Sequence, residues 1–179
     1  MPGRDTVPGM THDRPTGPEE RIAVDRDAVH VLPINDRGEV LLLQGFEPTH
    51  PDQLFWFSVG GGLEAGEDDR EAAVREMAEE TGITASKQSL LGPFIRETAE
   101  FSWGKYDVTQ HQTWWAVKVG DPSVSFAGLD EIEQSTTVGH RWWTPDELAT
   151  AGQTYAPGLV EQMRTALELT SDSDIDVSG

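Results

Sequence analysis

Gly61 to Ile83 read GGLEAGEDDREAAVREMAEETGI. Glycines open the stretch and carboxylates crowd its remainder. Glu76, Glu79 and Glu80 are spaced three and four apart, which places them on one face of a helix. Asp68 with Glu71 three residues on has the form of a capping box, and Gly82 falls where a helix takes a left-handed C′ residue. The spacing therefore predicts a helix from about Asp69 to Thr81. At ~100° per residue, Val74, Met77, Ala78 and Thr81 gather on one side, expected to bury. The three glutamates gather on the other, expected to face a site. Arg75 flanks them and can reach Glu79 at i+4 or fold back to Glu67. Three carboxylates on one face repel each other unless something cationic sits among them, and a divalent metal is the simplest candidate. A Glu-rich helix face taken alone is more often merely solvated.

The surrounding spacings separate the two readings. Gly61, Glu67, Arg75, Glu76, Glu79, Glu80 and Gly82 occupy the fixed positions of the pattern G-x5-E-x7-R-E-U-x-E-E-x-G-U, and Met77 and Ile83 its apolar positions U. The chain thus resembles the Nudix hydrolase family, with an order of elements that fits over roughly residues 25–165. The resemblance implies an α/β fold, a Nudix-type α/β/α sandwich built on a mixed β-sheet, with the substrate cleft above the motif. It implies that Glu76, Glu79 and Glu80 share the metal-ligand and water-activating roles, with Mg²⁺ as the cation and Mn²⁺ as an alternative. It also suggests a loop carbonyl as a further ligand, Gly60 by preference and Gly61 as the neighbouring choice. Some family members recruit an extra acid from a distant loop. Glu131 and Glu133 are the candidates, with Glu133 preferred over Glu131, and two solvated loop acids are the plain alternative.

Arg75 suits a bracing role, since a guanidinium can hold a carboxylate in one rotamer by a bidentate contact. Glu67 would tie loop to helix. Trp56 lies nearest the motif among the six tryptophans and is a candidate for stacking on a base or sugar, although aromatic residues in strands are more often core. In each of the pairs Trp114-Trp115 and Trp142-Trp143, one ring should face each side of the sheet. Gln44 stands where the family often carries a base after its apolar strand, so one phosphate contact is altered. Val59 replaces a common proline. His30, His111 and His140 read as structural.

Composition narrows the partners. The 179 residues carry a formal net charge of −19, which argues against a nucleic-acid polymer but not against a small phosphorylated substrate. No apolar run approaches a membrane span. The N-terminus lacks a secretory h-region, so the cytoplasm is the default. The absence of cysteine excludes disulfides and thiol chemistry. Monomer and homodimer both remain open.

Along the chain, residues 1–24 read as a flexible arm, 25–169 as one hydrolase domain and 170–179 as an acidic tail. Strands are expected at Ala28–Ile34, Glu39–Leu43, Leu54–Ser58, Leu90–Phe101, Val108–Val119 and His140–Trp143, with a loop over Gly120–Val138. Helices are expected from Pro145 through Leu148 and over Pro157–Leu169.

The function these readings imply is cleavage of a phosphoanhydride in a nucleoside diphosphate linked to another moiety. A compact chain without an added domain inclines this toward a (d)NTP, oxidised or not. An ADP-ribose or nucleotide-sugar pyrophosphatase is the alternative, and so is a catalytically silent nucleotide-binding module.

Overall fold

The structure, a computed structural model, describes residues 20–151 and 157–175. Strand β1 (Ile22–Ile34) turns at Asn35, whose side-chain oxygen accepts from the Arg37 and Glu39 amides, and returns as β2 (Val40–Gly45). β1 starts six residues ahead of the expected Ala28. The cause is β6 (Tyr106–Lys118), which runs parallel to β1 in register from Ile22↔Tyr106 to Ile34↔Lys118. A paired neighbour satisfies backbone groups whatever the side chains, so the polar residues from Asp25 to Asp27 are carried into the sheet. The expected arm is therefore shorter, because residues 22–24 belong to β1. Its residues 1–19 lie outside those described.

The chain next enters β3 (Phe55–Phe57), bends at Ser58, and continues as β4 (Val59–Gly62). Gly60–Gly62, expected as a loop, are thus a strand. β3 pairs with β2, and β4 pairs with β1. The bent strand fills the wedge where β1 and β2 diverge after their one shared pair, Ile34↔Val40. β5 (Leu91–Trp103) forms a hairpin with β6, and β7 (Thr137–Trp143) covers the far edge of β2. The resulting sheet is mixed, seven-stranded, and ordered β7-β2-β1-β6-β5 around the wedge.

Helix α1 (Asp69–Thr81) has the limits its caps predict. Asp68 and Glu71 exchange side-chain hydrogen bonds with each other's amides, and Gly82 ends the helix at φ +72°. Helix α2 (Glu131–Thr136) occupies part of the expected loop, started by a second capping box between Asp130 and Glu133. Glu131 and Glu133 therefore sit on a helix and not on a loop. Helix α3 (Pro145–Ala151) follows β7, and α4 (Leu159–Ile175) closes the fold. α4 outruns its expected end at Leu169, so residues 171–175 of the supposed tail are helical, while 176–179 lie outside the described residues.

Two hydrophobic cores flank the sheet. Under α1 pack Val29, Val31, Leu41, Leu43, Ala73, Met77 and Trp115. Under α3 and α4 pack Leu32, Val40, Leu42, Trp114, Trp143, Leu148, Leu159 and Met163. This is an α/β/α sandwich, and the alternation of strand side chains produces it. The tryptophan pairs split between the faces as alternation requires, Trp114 and Trp143 to one side, Trp115 and Trp142 to the other. Met77 has no exposed surface, and its burial contributes about 2 kcal/mol toward docking α1.

The buried face of α1 differs from the expected one. Ala72, Ala73, Met77 and Thr81 are buried, but so are Glu76 and Glu80, while Val74 is only half-buried. The reason is β4. Its glycines offer no side chains to fill the helix–strand interface, and carboxylates take that space.

Candidate active site

Gly61 shows how closely helix and strand meet. A Cβ there would lie 2.5 Å from Glu76 Oε1 and 2.6 Å from the carboxyl carbon, so the carboxylate occupies the volume a side chain would need. Gly60 has φ +151°, and a Cβ on it would meet the Val29 carbonyl oxygen at 2.1 Å, so only glycine fits. The Gly60 amide donates to Glu80 Oε2 at 2.8 Å. The Gly60 amide thus turns away from β1 toward Glu80. Gly61 stands one residue along, opposite Val29. Both candidate residues border the acids, Gly60 through its amide on Glu80 and Gly61 against the Glu76 carboxylate.

Arg75 ties the acids together. Its Nε and Nη2 grip Glu67 through two hydrogen bonds of 2.8 Å, Nη1 donates to Glu76 Oε1 at 2.7 Å and Glu79 Oε2 at 3.1 Å, and Nη2 also donates to the Gly62 carbonyl. Both sequence alternatives for this side chain, toward Glu67 and toward Glu79, are realised at once, because a guanidinium has five donors in a planar fork. The Arg75 guanidinium holds the Glu67 carboxyl below its ordinary range.

Glu76 and Glu80 move the other way. Burial raises the Glu76 carboxyl despite Arg75, and Glu79 and Glu133 push in the same direction. Burial raises Glu80 well above the ordinary range against the pull of the Gly60 amide, with Glu76, Glu133 and Glu79 adding to the rise. Glu79 is the solvent-facing member, its side chain 48 % exposed. Glu133 reaches the cluster through space. Its own carboxylate accepts from the Asp130 amide at 2.9 Å in the α2 cap.

A divalent cation fits this donor set. Arg75 supplies one positive charge to Glu67, Glu76 and Glu79 at once, and Glu80 and Glu133 deepen the negative field. Every group on offer is an oxygen, the chemistry of a hard ion such as Mg²⁺. Among the described residues, no three acidic or histidine side chains already converge on a common point. A cation here would draw on the Gly60 carbonyl, water and substrate oxygens as well as on carboxylates released from Arg75.

Gln44 and Trp56 pair across β2 and β3. The Trp56 ring packs edge-on against Trp143 at 5.0 Å in the core beneath α3 and α4. Strand alternation puts Gln44 on that face too, whereas the acids lie under α1. His111 contacts Asp25 and Thr98, and His140 meets Phe126 edge-on. His30 proves the most connected of the three, and nothing in the sequence signals it: its partners Ser58 and Gln112 are distant in the chain.

Residues 24–163 match the NUDIX domain family. The chain belongs to the Nudix hydrolases, enzymes acting on phosphoanhydride bonds. It is 31 % identical over 141 residues to the asymmetrical bis(5'-nucleosyl)-tetraphosphatase of Rattus norvegicus, covering 78 % of this chain and 84 % of that one. It is 28 % identical to an RNA pyrophosphohydrolase of Novosphingobium aromaticivorans over 69 % of this chain and 80 % of that protein. With a putative 8-oxo-dGTP diphosphatase of Bacillus subtilis it shares 30 % identity over 66 % of each. The fold is also that of the dihydroneopterin triphosphate pyrophosphohydrolase of E. coli, at a TM-score of 0.57 and 22 % identity over 81 % of this chain and 95 % of that one. An Ap4A hydrolase of C. elegans gives 0.56 and 21 %, over 83 % and 98 %. No helix among the described residues is long and apolar enough to cross a membrane.

Proposed function

We propose that this Nudix protein is a magnesium-dependent pyrophosphohydrolase of small nucleotides, cleaving a phosphoanhydride in a nucleoside diphosphate linked to another moiety. The observation that carries the reading is the collection of Glu76, Glu79 and Glu80 at the free edge of β4, with Glu76 seated in the space left by Gly61. Glu76, Glu79, Glu80 and the Gly60 carbonyl would hold Mg²⁺, or Mn²⁺ in its place. When bound, the cation supplies neutralisation of phosphate charge and acidifies a water.

The chain's own residues do the remaining work. Arg75 keeps Glu76 and Glu79 in defined rotamers, and Glu67 anchors Arg75. One of the three helix glutamates takes the proton of the attacking water. The water oxygen bonds to phosphorus as the bridging P–O bond breaks, and the departing phosphate carries the electron pair. Glu133 is a fourth acid for the same cluster. Gln44 and Trp56, side by side on β2 and β3, face the core beneath α3 and α4, so no nucleoside contact is assigned to them.

The relatives' names support a nucleoside-linked phosphoanhydride and differ in the leaving moiety. Within that class the reading favours a nucleoside triphosphate, oxidised or not, released as monophosphate and pyrophosphate. A formal charge of −19 suits a small substrate better than a polymer.

The test is purified protein with Mg²⁺ against a panel of (d)NTPs, an oxidised dNTP, ADP-ribose, nucleotide sugars and dinucleoside polyphosphates, with products identified. Monophosphate and pyrophosphate from a triphosphate is the expected result. Tight binding without product from any member would make the protein a silent nucleotide sensor.

A further inference from the structure

Behind β4, on the face away from α1, lies a chain of polar side chains that the proposed chemistry does not use. The Glu97 carboxylate accepts from Gln112 Nε2 at 2.8 Å and from the Trp114 indole at 3.2 Å. Gln112 Oε1 meets His30 Nε2 at 2.8 Å, and His30 Nδ1 meets Ser58 Oγ at 2.8 Å. A second branch enters from Arg26, whose Nε donates to Gln110 Oε1, while Gln110 Nε2 donates to Gln112 Oε1.

Charges at both ends fix the amide directions in between. A carboxylate only accepts and a guanidinium only donates. Glu97 therefore requires the amide nitrogen of Gln112 on its side, and Arg26, through Gln110, requires the amide oxygen of Gln112 on the other. His30 Nε2 faces that oxygen at 2.8 Å, closer than the Gln110 amide nitrogen at 3.4 Å, and so carries the proton. Its Nδ1 is then bare and accepts from the Ser58 hydroxyl. Burial lowers the His30 imidazole to about 4, which keeps this neutral form in place at physiological pH. The ring is further fixed by stacking on Trp114, at 4.2 Å between centroids and 17° between planes.

The end of this chain is the point where β3 bends into β4. Ser58 is the residue between the two strands, two before Gly60, and His30 is the cross-strand partner of Gly60. One imidazole thus touches the bend and backs the glycine whose amide holds Glu80.

We infer that His30 is a positioning residue for the cation site: locked in one tautomer between Gln112 and Ser58, it sets the β3–β4 bend so that the Gly60 carbonyl faces the carboxylates of α1. This deepens the proposed function and rests on its cation site. The bend needs such a tie because Gly60 has no side chain to hold it and Val59 lacks the fixed φ of a proline. Groups behind a metal's direct ligands orient those ligands, and losing one typically costs about 10–100-fold in metal affinity or activity.

The experiment compares wild type with Ser58→Ala, Ser58→Thr, His30→Phe and Met163→Ala. Phenylalanine keeps a ring against Trp114 but cannot accept from Ser58. Met163→Ala removes buried volume from the same core without touching the polar chain, and controls for general destabilisation. Two readouts are taken: the dissociation constant for Mn²⁺ by titration calorimetry on each folded protein, and the Mg²⁺ half-saturation of turnover. Ser58→Ala and His30→Phe should each weaken both by about tenfold. Ser58→Thr should stay near wild type because it keeps the hydroxyl, and Met163→Ala should lose melting temperature with cation affinity unchanged. The double variant should be no weaker than either single one, since both break the same link.

Wild-type cation affinity in Ser58→Ala and His30→Phe would overturn the positioning role and leave the cation site standing. A wild-type protein that binds neither ion would overturn the cation site itself. If His30→Phe does not fold, Ser58→Ala against Ser58→Thr decides alone.

Discussion

Gly61→Ala separates the site from the fold more cleanly than loss of any acid. The backbone at Gly61 has an ordinary φ, so alanine imposes no conformational strain. Its Cβ would, however, stand 2.5, 2.6 and 2.8 Å from Oε1, Cδ and Oε2 of Glu76. Ordinary contact begins near 3.4 Å, so the carboxylate must retreat by roughly 1 Å, and it can, being the end of a flexible side chain. The retreat breaks the 2.7 Å bond to Arg75, a charge-assisted bond whose loss costs about 1.5–3 kcal/mol. Replacing glycine stiffens the unfolded chain and returns about 0.4–1 kcal/mol. Stability should therefore fall by about 0.5–2.5 kcal/mol, or roughly 1–10 °C in melting temperature, with the fold intact. A misplacement of ~1 Å at a reacting centre costs about 10²-fold in rate, or ~2.7 kcal/mol. The assay is kcat/KM for the best substrate of the panel at saturating Mg²⁺, beside a thermal melt. Full activity in a folded Gly61→Ala protein would refute the claim that Glu76, where it sits against β4, takes part in the chemistry. Gly60→Ala is the contrasting variant. Its Cβ would meet backbone at 2.1 Å, so that protein should lose stability outright.

Glu79→Gln and Glu80→Gln should each lower turnover by at least about 10²-fold while the melt stays cooperative, and near-native turnover in both would remove these residues from the mechanism. Arg75→Lys keeps the charge but loses the fork on Glu67 together with the bonds to Glu76 and Glu79, so kcat should fall about 10–100-fold, measured by steady-state kinetics. The pH dependence of stability has a defined sign. Burial raises the folded-state pKa of Glu80 above its unfolded value, so its stabilising contribution is complete below the unfolded carboxylate pKa, near 4.5, and is lost as pH climbs through the raised folded value. In metal-free buffer, Glu80→Gln should melt above wild type at neutral pH, with the gap closing toward pH 4, and a gap that widens on acidification would contradict the assignment. Mg²⁺ added at neutral pH should raise the wild-type melting temperature and do so less in Glu80→Gln, as mass action requires for a ligand of the folded state.

Local physics was enough for α1 and the contacts around it. The Asp68–Glu71 box and Gly82 limit that helix from within fewer than twenty residues, and the reach of Arg75 to Glu67 and Glu79 follows from helical spacing. Alternation likewise decided that Trp114 and Trp115 serve opposite cores. Other features needed partners far along the chain. β1 begins at Ile22 because β6 lies beside it, and Gly60–Gly62 form a strand because β1 supplies hydrogen bonds that no property of glycine announces. Helical spacing placed the three glutamates on an open face, but the bare surface of β4 drew Glu76 and Glu80 inward and left Glu79 in water. The His30 chain joins β1, β5 and β6 to the bend at Ser58, so only the assembled sheet could bring it together. Side-chain type and short-range spacing are written in the order of residues, whereas burial and cross-strand partnership exist only once distant segments have met.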